Sequence, residues 1–185
     1  MTTASAPFAW EGQSGPGNFT VAANGTDIWQ YSGADQYAAI YRRGDAGDGT
    51  TAVVKVDSLT DTNEWSRAGL VVRNDLTKAG KSGGYVVVAV TPSHGVTMLW
   101  DGDGDGYLDT SGPGAAHITA PVWLKVARQG TTFTGWYSAD GSTWNAVGSV
   151  NLPSATTSQD VGMLVNGHAP EVAVGTFTDF SATNS

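Results

Sequence analysis

The sequence predicts an all-β protein built as a two-sheet antiparallel sandwich, and three observations carry that expectation. Short runs rich in Val, Thr, Ile and aromatic residues are bounded by Gly, Pro, Asn and Asp, and no stretch sustains a 3.6-residue apolar repeat. Twenty-five glycines and only 14% charged residues in a chain of 185 describe a turn-rich, lightly charged protein. No helix is readable that could cover a sheet face, so the strands must bury one another. In chain order the clearest strands are residues 37–42, 51–56, 68–73, 85–91, 96–100, 122–128, 133–138, 161–165 and 172–180. Turn residues set them apart. Gly47-Asp48-Gly49 precedes the second run and Ser82-Gly83-Gly84 the fourth, and neither is followed by the Lys-Ser/Thr or the helix of a phosphate-binding loop. His94-Gly95, Gln129-Gly130 and Asp140-Gly141 each supply the positive-φ glycine that short hairpin connections favour. No composition break or repeat divides the chain, so one domain over residues 7–181 is expected, with flexible polar ends at 1–6 and 182–185.

Charge and composition exclude several partners. Nine Lys plus Arg against seventeen Asp plus Glu leave a net charge of −8, the wrong sign for a phosphate backbone, so nucleic acid is not an expected partner. No apolar run approaches the ~20 residues of a membrane-spanning helix, and a membrane is not expected either. With no cysteine there are no disulfides, thiolate metal sites or thiol nucleophiles.

Six segments carry a family resemblance: Asp27-Ile28-Trp29, Ala34-Asp35-Gln36-Tyr37, Gly47-Asp48-Gly49-Thr50, Val56-Asp57-Ser58, the run from Trp65 through Arg67-Ala68-Gly69-Leu70 to Arg73, and the run from Phe133 through Trp136 and Asp140-Gly141 to Trp144. Together they resemble the concanavalin A-like lectin and glucanase (laminin-G-like) jelly rolls appended to secreted bacterial enzymes. The resemblance covers nearly the whole chain. It implies a jelly roll, a secreted bacterial setting and an attached catalytic domain. It does not choose among lectins, carbohydrate-binding modules, glucanases and protein binders, because one fold serves them all.

Two patterns bear on catalysis. The glucanases of this superfamily set Glu-x-Asp-x-x-Glu or Glu-x-Asp-x-Glu on one strand, so that acid and nucleophile flank one sugar. Here none of the three glutamates, Glu11, Glu64 and Glu171, is followed by a carboxylate at that spacing. His94, His117 and His168 lie in Ser-His-Gly, Ala-His-Ile and Gly-His-Ala contexts, none of them a nucleophile elbow. The expectation is a non-catalytic domain.

The acidic loop Asp101-Gly102-Asp103-Gly104-Asp105-Gly106-Tyr107-Leu108-Asp109 concentrates four aspartates in nine positions. Carboxylates this close repel unless a cation neutralises them, and alternating glycines let Asp101, Asp103 and Asp105 converge with the Tyr107 carbonyl and Asp109 on a hard ion. Calcium fits that oxygen set. Gly112 stands where an EF-hand has its bidentate carboxylate, so the expected site is of the weak extracellular kind, with a dissociation constant of roughly 10⁻⁴ to 10⁻³ M. The alternative reading is a solvated acidic tip that guards a sheet edge.

Seven tryptophans and six tyrosines suit stacking on sugar rings, although Trp29, Trp65 and Trp144 sit beside apolar strand residues and read as packing. Trp100 and Tyr107 frame the acidic loop, Trp136 lies on the more polar face of its strand, and Tyr31 sits in a polar loop; these four are the candidate ligand-binding residues. The expected function is a non-catalytic, calcium-stabilised carbohydrate-binding accessory module whose partner is a polysaccharide. The alternative is a structural spacer or protein-docking sandwich without a glycan site.

Overall fold

A computed structural model describes residues 1–185, and their regular structure is strand apart from one 3-10 turn, Gln30–Ser32. The strands are β1 (Thr2–Ala4), β2 (Ala9–Gly15), β3 (Asn18–Gly25), β4 (Ala38–Ala46), β5 (Thr50–Leu59), β6 (Arg67–Arg73) and β7 (Val86–Val90). They continue as β8 (Val96–Trp100), β9 (Thr110–Ser111), β10 (Val122–Gln129), β11 (Thr132–Ser138), β12 (Asn145–Asn151), β13 (Gln159–Asn166) and β14 (Ala169–Asn184). Two seven-stranded sheets result, ordered β1-β4-β13-β6-β7-β8-β9 and β12-β11-β10-β5-β14-β3-β2. Ladder pairing within both is antiparallel.

Alternation along the strands builds the core between the sheets. Leu70 and Val72 of β6, Val86, Val88 and Val90 of β7, and Val96 and Met98 of β8 meet Val54 and Val56 of β5, Leu124 and Val126 of β10, Phe133 and Phe177. The approach is close: a Cβ on Gly135 would stand 2.8 Å from Val88 Cγ2 and 3.1 Å from Met98 Sδ, so only glycine fits there without a shift. The expected hairpin glycines hold their turns with positive φ, +78° at Gly95, +59° at Gly130 and +74° at Gly141.

The first sheet has a second apolar layer on its outer face. Val71, Val87, Ala89, Leu99 and Leu164 point away from the sandwich core and pack with Ile28, Tyr37, Leu76 and Leu108. That is why β6, β7 and β13 read as unbroken apolar runs: both of their faces are covered. A buried ionic knot pins the covering loops. Arg73, with no exposed surface, donates to Asp35 Oδ2 (2.6 Å), the Tyr37 hydroxyl (3.2 Å), Ser82 O (2.8 Å) and Gly106 O (2.6 Å). Its guanidinium also lies 4.0 Å from the Tyr85 ring centroid. One cation thus ties together three loops that are distant in sequence.

The structure departs from the expected strand map at the ends and in four further places. Residues 1–6 and 182–185 were expected to be free, yet β1 pairs with β4, and β14 pairs with β5 as far as Asn184. Their polar side chains obscured backbone pairing that needs no apolar residue. Strands β2, β3, β9 and β12 went unread because Gly, Asn and Ser interrupt them or, in β9, because only two residues pair.

Candidate functional site

The loops cover only part of the outer face of the first sheet. At the end where β6 begins, β13 finishes and β7 turns into β8, a cavity of about 530 Å³ stays open. Arg67, Thr91, Thr97 and Leu99 form its floor from the sheet; Asp27, Trp29, Trp65, His94, Ser111 and His168 complete the lining.

Local sequence explains the placement of each group. Trp65 precedes β6 in a turn closed by Ser66 N–H to Asn63 O (2.9 Å), and Asn63 Oδ1 accepts the Trp65 N–H (2.9 Å). The indole stacks on the His94 imidazole of the β7–β8 hairpin, with ring centroids 3.5 Å apart and planes 11° apart. His94 Nε2 in turn lies 3.3 Å from Glu64 Oε2. Trp65 remains 38% exposed, so it presents an aromatic surface to solvent while its ring is held from behind. Trp29 is placed by the acidic loop, through a parallel bridge to Leu108 and the Gln30 N–H to Leu108 O bond (2.8 Å).

Asp27 is the polar centre. Its Oδ1 accepts from Arg67 Nη1 (2.7 Å) and from the Ile28 N–H (2.7 Å) and lies 3.3 Å from His168 Nδ1, while its Oδ2 takes no protein donor. Arg67 Nη1 also reaches Asn166 Oδ1 (3.4 Å), and its Nε and Nη2 have no protein acceptor. His168, at the β13–β14 hairpin, adopts φ +50°, a region that non-glycine residues rarely occupy outside turns and functional sites. The groove therefore offers aromatic faces, threonine and serine hydroxyls, one carboxylate with a free acceptor and one guanidinium with free donors.

The residues singled out from the sequence lie elsewhere, and none lines this cavity. Trp100 is half-buried because β8 alternates Val96, Met98 and Trp100 toward the sandwich core. Tyr107 covers Gly80, where a Cβ would come within 2.6 Å of its hydroxyl. Trp136 stands on the outer face of the second sheet, where Lys125 Nζ sits 4.6 Å from its ring centroid and 4.2 Å from that of Trp144. Tyr31 is 92% exposed in the 3-10 turn. The four do not form a common surface.

The acidic loop converges in part. Carboxylate oxygens of Asp101, Asp103 and Asp109 lie within 4.8 Å of one another. Asp105 is turned away, accepting from Gln30 Nε2 (3.0 Å) and from the Tyr107 N–H (2.9 Å). Asp101 is fully buried; its oxygens accept the Gly104 (2.6 Å) and Gly106 (3.0 Å) N–H groups. Burial pushes its pKa up to about 6, with the Asp105 and Asp103 charges adding, although those two backbone donors pull it down. A carboxylate held at such a cost, beside two others, has the chemistry of a hard-cation ligand.

Two seven-stranded antiparallel sheets packed face to face, one of them carrying an open groove on its outer face, define a β-sandwich of the jelly-roll type. No protein-family model and no curated protein matches the sequence. A functionally unknown protein from Saccharomyces cerevisiae superposes with a TM-score of 0.75 at 18% identity, covering 100% of this chain and 96% of that one. The GH43 protein BlXynB from Bacillus licheniformis gives 0.68 at 17% identity, over 91% of this chain. This chain spans only 33% of that enzyme. The carbohydrate-binding module CBM66 from Bacillus subtilis gives 0.54 at 13% identity, covering 100% of this chain and 95% of the module. At these identities the likeness is one of fold.

Proposed function

We propose that this protein is a non-catalytic carbohydrate-binding module that takes a glycan in the groove on the outer face of its first sheet. One observation carries the reading: a half-exposed tryptophan braced by His94 lines the same cavity as Trp29 and the Asp27–Arg67 pair. Stacking faces beside a few oriented donors and acceptors suit the apolar C–H faces and the hydroxyl edges of a sugar. The cavity lining contains a single carboxylate, Asp27, which Arg67 already engages, whereas glycoside hydrolysis uses two that flank the scissile bond. Similar folds include a module described as carbohydrate-binding and VIP36 in a Ca2+/Man-bound form, with a TM-score of 0.51 at 10% identity. Coverage of one third of the GH43 protein supports a place as one module of a larger chain, which this proposal takes to be a secreted bacterial protein with a catalytic domain beside it.

Calcium belongs to the same proposal. Asp101, Asp103 and Asp109 would hold it, and the loop they close carries Leu108 and Asp105, which position Trp29 and Gln30. Neutralising the loop would thereby firm one wall of the groove.

The alternative of a docking or spacer domain draws on the outer face of the second sheet, where Trp123, Trp136 and Trp144 are only half-buried around Lys125. A polysaccharide retention panel of β-glucans, xylan, chitin, mannan, fructans and galactans, run in millimolar calcium and in chelator, separates the two. Retention lost in Trp65→Ala but kept in Trp136→Ala supports the groove. Absence of retention on every polysaccharide, with the fold intact, transfers the function to docking.

A further inference from the structure

A second cavity, of about 520 Å³, adjoins the groove and shares Asp27 and His168 with it. The two linings differ in kind. The groove has Trp29, Trp65 and Leu99, whereas the second cavity has no Trp, Tyr or Phe and is lined by Asn24, Thr26, Ser32 and Gln36 around the shared pair. Several polar groups along this path lack a protein partner: Asp27 Oδ2, Arg67 Nη2, the Thr26 hydroxyl and Gln36 Nε2, whose own Oε1 is occupied by the Thr26 N–H (2.7 Å). The left-handed backbone at His168 (φ +50°) sets its imidazole at the junction, 3.3 Å from Asp27.

Arg67 is the single Lys or Arg in the two linings and its charge is already met by Asp27, which leaves no unpaired Lys or Arg to receive a carboxylate or sulfate on a sugar. The chain's net charge of −8 disfavours such a ligand further.

We infer that the two cavities are successive subsites for one neutral glycan chain, which stacks on Trp65 in the groove, crosses Asp27 and His168, and ends among the amides and hydroxyls of the second cavity. The inference rests on the carbohydrate-binding reading and adds to it a ligand class, a direction and a minimum length. A mono- or disaccharide fills the stacking subsite alone. Longer chains add hydrogen bonds to Gln36 and Thr26, raising affinity by about tenfold before it levels off.

The test is calorimetric titration of the intact protein, in calcium, with oligosaccharides of two to six units from xylan, cellulose, mannan and inulin, and with oligogalacturonides as the charged comparison. The expected result is tighter binding with length in one neutral series, with oligogalacturonides weaker throughout. Trp65→Ala should weaken every length. Gln36→Ala should reduce the longer ligands to the affinity of the shortest and leave the shortest unchanged. Because Gln36 also holds the Thr26 backbone, Thr26→Val is the companion variant: its side chain is exposed and makes no hydrogen bond, and the same length-selective loss is expected. Affinity independent of length, equal weakening of short and long ligands by Gln36→Ala and Thr26→Val, or tighter binding of oligogalacturonides would overturn the two-subsite inference and leave the glycan site standing. Absence of binding to every series would overturn the carbohydrate reading itself.

Discussion

Replacing Arg73 with methionine tests the idea that one buried cation organises the loops above the first sheet. Methionine fills much of the same volume but removes the donors to Asp35, Tyr37, Ser82 and Gly106. It strands the Asp35 carboxylate, 2% exposed, with only the Gly80 N–H (2.6 Å) and the Tyr85 hydroxyl (3.3 Å) as partners. Removing one member of a buried, hydrogen-bonded pair typically costs about 3–5 kcal/mol. A domain of this size loses about 2–4 °C of melting temperature per kcal/mol, so the drop should be about 6–20 °C. Scanning calorimetry at pH 7 reads it directly. The double variant Arg73→Met/Asp35→Leu leaves no uncompensated charge and should melt above the single Arg73→Met variant, a non-additivity expected of contacting groups. A shift below about 2 °C in the single variant, or strict additivity in the double, would refute the role given to the knot.

Three further outcomes are expected. In millimolar calcium the melting temperature should exceed that in chelator by about 3–6 °C, from roughly 1.4 kcal/mol at ten times the dissociation constant, and Asp103→Ala/Asp109→Ala should erase the difference; an unchanged melt would remove the ion. In chelator, the raised pKa of Asp101 makes the folded chain bind a proton more tightly than the unfolded one. Stability should thus rise by about 1 kcal/mol as pH falls from 7.5 to 5, and decline only at lower pH, where the depressed Asp75 and Asp140 carboxyls become protonated; Asp101→Asn should flatten the rise, and a fall in melting temperature across that window would contradict it. Trp65→Ala should abolish polysaccharide retention with little change in melting temperature, because that ring is 38% exposed; a collapse of the fold would instead mark it as structural.

The resemblance and the alternating runs together made the sandwich legible, and Asp140-Gly141, Gln129-Gly130 and His94-Gly95 each turned where their glycines required. The site was less legible. Trp29 and Trp65 lay inside the recognised motifs and read as packing; Trp29 does pack against the outer apolar layer, and both also line the groove. A signal was present in Trp65-Ser66-Arg67, an indole in the turn that leads into β6 only two residues from the guanidinium that opens the strand. Reading it as a site required knowing that the outer face of β6 is roofed at Arg73 and open at Arg67.

Local chemistry was sufficient for everything that depends on neighbours along the chain: the strands with strong alternation, the hairpin turns, and the acidic cluster, three of whose carboxylates do converge. Which face of a sheet is covered, and where the cover stops, depends on contacts between residues far apart in sequence. Asp27 meets Arg67 across 40 positions, and Arg73 meets Asp35 across 38. Those pairings are selected by the burial of charge and apolar surface in the assembled sheets, a condition no single segment carries by itself.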